Sequence, residues 1–113
     1  MIVFTGDLVN YQAEELSEFK SILSELQAAD GVISVMGNHD YMNYHKWATE
    51  NDRLADIEKL QKGMKDMGWK LLLNENVFIY RGNDSMAIMG IEKDGRPPFP
   101  SLGDLDKAQK GID

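Results

Sequence analysis

Cysteine is absent, which excludes disulfides, thiolate metal sites and cysteine nucleophiles while leaving the compartment open. Histidine is scarce: His39 and His45 are the only two, so any imidazole chemistry in this chain must pass through them. No apolar run approaches the roughly 18 residues that a membrane span requires. The opening Met1–Phe4 stretch runs directly into Thr5-Gly6-Asp7, without the charged leader and longer apolar run of a signal peptide. Basic clusters are missing too. Twelve Lys and Arg against nineteen Asp and Glu give a net charge of −7, and the acidic residues are spread along the chain. Such a surface repels a phosphate backbone, which argues against duplex nucleic acid as a partner.

What remains is a chain of 113 residues with 42% hydrophobic content, enough for one packed domain and too short for two. A globular chain of this size buries roughly two-thirds of its unfolded surface. Ile2 to Thr5 reads as a short buried strand of the parallel type, ending at Gly6. From Ala13 to Ala29 the residues Leu16, Phe19, Ile22, Leu23 and Leu26 recur at helical spacing and predict one stripe facing a sheet. Asp30-Gly31 closes that helix. Val32 to Met36 is a second apolar strand, and residues 37 to 46 form a polar, aromatic-rich loop. Leu54, Ile57, Leu60, Met64 and Met67 predict a second amphipathic helix, stopped at Gly68. Strands are expected at 69–73, 77–81 and 85–91, the last two joined by a tight turn at Gly82-Asn83-Asp84. The Arg96–Pro100 segment marks a loop, and a short helix follows from Asp104, which suits an N-cap better than a ligand. The order β-α-β-α-β-β-β-α indicates an α/β fold.

Two glycine-headed motifs carry the chemistry. Gly6-Asp7-Leu8-Val9-Asn10 and Gly37-Asn38-His39-Asp40 each follow a short apolar strand. One helix and one strand separate them, the span of a single βαβ unit of about 30 residues. A right-handed crossover makes the two strands parallel, so both motifs emerge at the carboxyl edge where open α/β sheets bind ligands. Asp7 offers a carboxylate able to serve two cations, and Asn38 a neutral carbonyl oxygen. Oxygen and imidazole donors suit Mn, Fe or Zn. His39 is the side chain of the pair whose ordinary titration range fits a general acid. The bland alternative is two strand-end turns with polar caps, respectable for either motif alone and weaker for both in order. A loop histidine such as His45 is more often solvated than a ligand. Tyr41, Tyr44 and Trp47 either wall a substrate groove or pack beneath another part of the domain.

The strings GDLVN and GNHDY, at this spacing, resemble the second and third blocks of the calcineurin-like metallophosphoesterases. Gly68–Asn76 and Gly103-Asp104-Leu105 are similar to the bacterial membrane-associated subgroup, in which phosphodiester or phospholipid-like substrates are suspected. The resemblance implies part of a four-layer α/β/β/α fold and a centre of two divalent metal ions. By position, Asp7 would bridge the two metals and Asn38 would ligate the second. His39 would protonate the leaving oxygen or stabilise charge on the phosphoryl group. Asn10 stands where many relatives have an aspartate that holds this histidine; an amide can accept the imidazole N–H but brings no charge. Asp40, grouped with His39 and Asn10 among the catalytic positions, suits a loop-organising acceptor better than a ligand.

The family also uses an Asp-x-His block upstream, and downstream a lone His followed by Gly-His-x-His. None occurs in this sequence. Two-metal sites hold cations about 3.5–4 Å apart in a full ligand cage, and one carboxylate with one amide falls short of that. The expectation is a central part of a phosphoesterase domain, inactive by itself, from a truncated or proteolysed chain or a misplaced gene start. Unpaired strand edges would favour self-association. An anchored parent is implied by the membrane-associated resemblance. The rival reading is a noncatalytic α/β module that assembles with another chain.

Overall fold

The computed structural model describes residues 1–95 and 101–112. Strand β1 (Ile2–Phe4) leads to a 3-10 helix (Ala13–Glu18) and a single α-turn, α1 (Lys20–Leu23), before strand β2 (Val32–Ser34). A second 3-10 turn (His39–Tyr41) precedes the long helix α2 (Glu50–Asp66) and strand β3 (Lys70–Leu71). Strands β4 (Glu75–Arg81) and β5 (Asp84–Gly90) form a hairpin, and α3 (Leu105–Ala108) follows. The expected Pro-rich loop at 96–100 lies outside the described residues.

The three-stranded sheet has the order β1-β2-β3 and is parallel throughout, with Ile2 opposite Val32 and Ile33 opposite Lys70. Central β2 is buried along its length. Parallel pairing of β1 with β2 is what brings Gly6 and Gly37 to one edge. The hairpin is a separate two-stranded antiparallel sheet, turned by Gly82 and Asn83 between Arg81 and Asp84. With the parallel sheet and flanking helices it makes the mixed α/β architecture expected of part of a calcineurin-like fold.

Helix α2 forms where its end signals are strongest. Thr49 caps it, its hydroxyl accepting from the Asp52 N–H at 3.1 Å, and Glu50 and Asp52 lie in the first turn. Ile57, Leu60, Met64 and Met67 are buried as the spacing predicts. Leu54 is the exception, exposed near the helix start. Gly68, at φ +83°, ends the helix in the left-handed conformation.

The first predicted helix is the main departure. Instead of one helix over 13–29, the chain makes six residues of 3-10 helix and four of α-helix. Only Ala13 and Leu16 of the apolar series lie inside the 3-10 helix; Phe19 is its C-cap, and the change to a separate α-turn breaks the predicted stripe. Ala13 and Leu16 are buried, but Phe19, Ile22 and Leu26 are 56%, 65% and 42% exposed. The chain also leaves the helix after Leu23, before Leu26 can join a face. Strand β1, expected to be buried, lies at a sheet edge with Val3 half exposed.

The core joins the sheet, the 3-10 helix and α2 through Val9, Leu16, Val32, Met36, Met42, Leu60, Met64, Trp69 and Leu71. Asn74, buried and at φ +53°, ties the hairpin exit to this body. Its carbonyl oxygen accepts from the N–H groups of Glu92 and Asp104, and its amide donates to Glu92 Oε2 and the Leu102 carbonyl. All four of its hydrogen-bonding positions are used. Asp104 caps α3 as the sequence indicates, accepting from the Lys107 N–H at 2.9 Å.

Candidate functional site

The two motif loops interlock through their glycines. Gly6 has φ +106°, and a Cβ there would lie 2.5 Å from the Gly37 nitrogen. A Cβ on Gly37 would lie 2.3 Å from Asp7 Oδ1 and 2.4 Å from the Asp7 nitrogen. Neither position has room for a side chain. Asp7 itself is left-handed at φ +60°, a conformation that costs a non-glycine residue about 1–2 kcal/mol and recurs where geometry serves a site.

Asp40 locks the loops together from beneath. It is fully buried, and its carboxylate accepts from the N–H groups of Asp7 (2.8 Å), Gly37 (2.9 Å) and Val9 (3.1 Å). Burial pushes this carboxyl above the ordinary aspartate range, against the pull of the three amides and with a further push from nearby Asp7. Enclosed and turned to the backbone, Asp40 holds the two loops to each other; of its two readings, catalytic position and loop-organising acceptor, these bonds are those of the acceptor.

Above Asp40 the exposed groups gather. Asp7 Oδ1 accepts the His39 N–H at 3.0 Å. His39 Nδ1 lies 3.0 Å from the Asn10 main-chain carbonyl oxygen. A carbonyl only accepts, so Nδ1 carries the proton and Nε2 is the ring atom left for chemistry. The expected imidazole partner was the Asn10 side chain; the structure uses its backbone instead. Asn10 is held by Glu15, whose carboxylate accepts from the N–H groups of Asn10 (3.0 Å), Tyr11 (2.7 Å) and Gln12 (2.7 Å). Burial raises the Glu15 carboxyl, but these three amides outweigh it and the net shift is downward.

Tyr44 bridges the remaining pair. Its ring stacks on His39 with centroids 4.4 Å apart, and its hydroxyl accepts from Asn38 Nδ2 at 2.8 Å. The three aromatics weighed together in the sequence therefore separate. Tyr41 is buried with its hydroxyl donating to Glu92, and Trp47 packs on the core while donating to the Met42 carbonyl. Tyr44 alone lines the open recess of about 380 Å³ beside Asn38, together with Asn43 and Lys93–Gly95. His45 lies elsewhere, edge-on to Trp47 in a depression with Asp52, Asp56 and Lys59.

Asp7, Asn38, His39 and Asn10 are thus brought together. Sequence reasoning missed Glu15 and Tyr44's double contact. Glu15 follows Gln12 at capping-box spacing, a signal that was readable. As donors for a metal, Asp7 and Asn38 offer hard oxygens suited to a divalent cation. Among the described residues no group of three or more His, Cys, Asp or Glu side chains is placed to hold one ion. The donors fit one side of a metal site.

Residues 1–109 match the family model described as calcineurin-like phosphoesterase. The chain is similar to a protein of Bacillus subtilis (strain 168) described as an uncharacterized metallophosphoesterase, YkoQ, with 28% identity over 94 residues. That match covers 81% of this chain and 32% of the relative, so the chain spans about a third of the relative's length. No solved structure matched the chain. With interlocked glycine loops at one sheet edge and a family match over nearly its whole length, the chain belongs to the calcineurin-like phosphoesterases.

Proposed function

We propose that this chain supplies one wall of a two-metal centre that hydrolyses phosphodiester or phosphomonoester bonds. The observation carrying this reading is the junction of the two loops, where the His39 N–H meets Asp7 Oδ1 at 3.0 Å. Asp7 would bridge two divalent ions (Mn, Fe or Zn) and Asn38 would ligate one through its carbonyl oxygen. Bound there, the ions would supply charge neutralisation and an activated water. His39, held through Nδ1 by the Asn10 carbonyl, presents Nε2 to donate a proton to the leaving oxygen. Tyr44 keeps both His39 and Asn38 in register, and Asp40 fixes the loops on which they stand.

The donors in this chain make a partial set, so the chain alone binds divalent metal weakly and turns over no phosphoester; the remaining ligands would come from sequence outside it. The Gly68–Asn76 and Gly103–Leu105 segments support a place in the bacterial membrane-associated subgroup. No helix among the described residues is long and apolar enough to cross a membrane.

The test is hydrolysis of bis-p-nitrophenyl phosphate with Mn²⁺ by the polypeptide encoded when the flanking reading frame is included. Turnover should vanish in Asp7→Ala and fall about 10²–10⁴-fold in His39→Gln, the usual range for a general acid. Asn10→Ala should stay within a few-fold of the parent, because its carbonyl remains. Absence of turnover in the longer polypeptide, or turnover indifferent to Asp7→Ala, overturns the proposal.

A further inference from the structure

The segment that carries Asp7 and Asn10 lies between β1 and the first 3-10 helix, outside every strand and helix. Its backbone donors still need partners, and carboxylates supply them. Asp40 takes the N–H groups of Asp7 and Val9, Glu15 those of Asn10, Tyr11 and Gln12, and Asp56 on α2 that of Ala13. The Glu15 contact to Tyr11, at 2.7 Å, has a consequence for the imidazole. The Tyr11 N–H and the Asn10 carbonyl are opposite ends of one planar trans peptide unit. Glu15 grips one end, and His39 Nδ1 meets the other at 3.0 Å. We propose that Glu15 is a positioning residue: by holding this peptide plane it aims the Asn10 carbonyl at His39 and keeps the neutral ring in the Nδ1–H tautomer, with Nε2 unprotonated. Its consequence for catalysis rests on the reading of His39 as proton donor to the leaving oxygen; the tautomer itself does not.

Glu15 is itself well anchored. Its N–H donates back to the Gln12 carbonyl at 3.2 Å, closing a short ring with the loop it braces. The next residue, Leu16, is buried against α2 at Gly63, where a Cβ would lie 2.8 Å from Leu16 Cδ2. A rigid path therefore runs from the long helix through Leu16 and Glu15 to the peptide that faces His39. The other contacts of His39 leave the tautomer open. Its N–H bond to Asp7 Oδ1 fixes the main chain, and Tyr44 meets the face of the ring, which does not choose between the two nitrogens. Burial pushes the Glu15 carboxyl up, while the amides of residues 12, 10 and 11 and the charge of His39 pull it down to a net value below the ordinary range. Glu15 is thus an ionised acceptor at neutral pH, with oxygens enough for all three N–H groups.

The tautomer is read directly from the imidazole nitrogens. The chain, labelled with ¹⁵N in its histidine rings, is studied by long-range ¹H–¹⁵N NMR above the ordinary imidazole range, with His45→Gln to assign the two rings. His39 should show the Nδ1–H pattern in the parent. In Glu15→Gln, whose single amide oxygen cannot serve all three N–H groups, the Nε2–H pattern favoured by an unconstrained imidazole in water should become the larger. Glu15→Ala should shift it further, and Glu14→Gln, at the exposed neighbour, should leave it unchanged. Parent-like amide signals from α2 show that a variant is folded; if Glu15→Ala loses them, the isosteric Glu15→Gln decides. An Nε2–H pattern in the parent, or an Nδ1–H pattern retained in Glu15→Gln, overturns the proposal. Hydrolysis of bis-p-nitrophenyl phosphate by the longer polypeptide is a separate arm, in which Glu15→Gln should lower kcat about tenfold, the loss typical of an outer partner. No turnover in the parent sinks the hydrolytic reading and leaves the tautomer result standing. An unchanged kcat in the variant sinks the positioning role.

Discussion

At Glu15 a carboxylate braces the backbone that holds the His39 imidazole. The Glu15 side chain holds the N–H groups of residues 10–12, and the Asn10 carbonyl in turn holds His39. Because its carboxyl is lower in the folded chain than its ordinary value, Glu15 releases protons more readily folded than unfolded. Its stabilising contribution is therefore present above the ordinary glutamate range and is lost as pH falls through the folded value. Acidification should lower the urea midpoint, and Glu15→Gln should flatten that part of the dependence; an unchanged pH profile in the variant contradicts the brace. Asp40 has the opposite sign, its raised carboxyl favouring the fold as pH falls. The meeting of the two loops was legible because Asp7, Asn38 and His39 sit in two short strings with glycines ahead of them. The imidazole partner was not, because a main-chain carbonyl leaves no mark on the side-chain sequence.

Helix α2 and the segment after β1 show why one element could be read and the other could not. In α2 the Thr49 cap, the buried series from Ile57 to Met67 and the Gly68 stop agree, and the helix is long enough for its 3.6-residue period to be unambiguous. In the first segment the spacing of Ala13, Leu16 and Phe19 suits a 3-10 turn as well as an α-helix, and only packing chose between them. The Asp56 carboxylate on α2 accepts the Ala13 N–H at 2.7 Å, which fixes where that turn starts. Thr49→Ala should cost about 1 kcal/mol of unfolding free energy through loss of the cap. Urea denaturation followed by circular dichroism measures this, and an unchanged midpoint would show the cap to be energetically idle. Asn74 is the least legible feature of all: its four bonds reach residues 18 to 30 positions away, and nothing local in an Asn-Glu-Asn turn announces them.

As a whole the body is elongated. Its radius of gyration is 15.1 Å with extents of 52 × 34 × 18 Å, against about 13 Å for a compact chain of this length. Strand β1 has a strand neighbour on one side only, and Val3, Tyr80 and Met86 are 50%, 66% and 54% exposed. Such surfaces favour association: the sedimentation coefficient should rise with concentration and do so less in Met86→Lys, whereas a constant value for the parent would contradict it. Parallel pairing of β1 and β2 was legible from the strand–helix–strand order, while the elongated shape left no local signal in the sequence. The central claim, that Asp7 and Asn38 form a shared metal-facing rim, is tested most directly by Mn²⁺ titration of the chain with NMR detection. Broadening should begin at the amides of Asp7, Asn38 and His39, with weak affinity, and disappear in Asp7→Ala. Broadening centred elsewhere, or persisting unchanged in that variant, would contradict the claim.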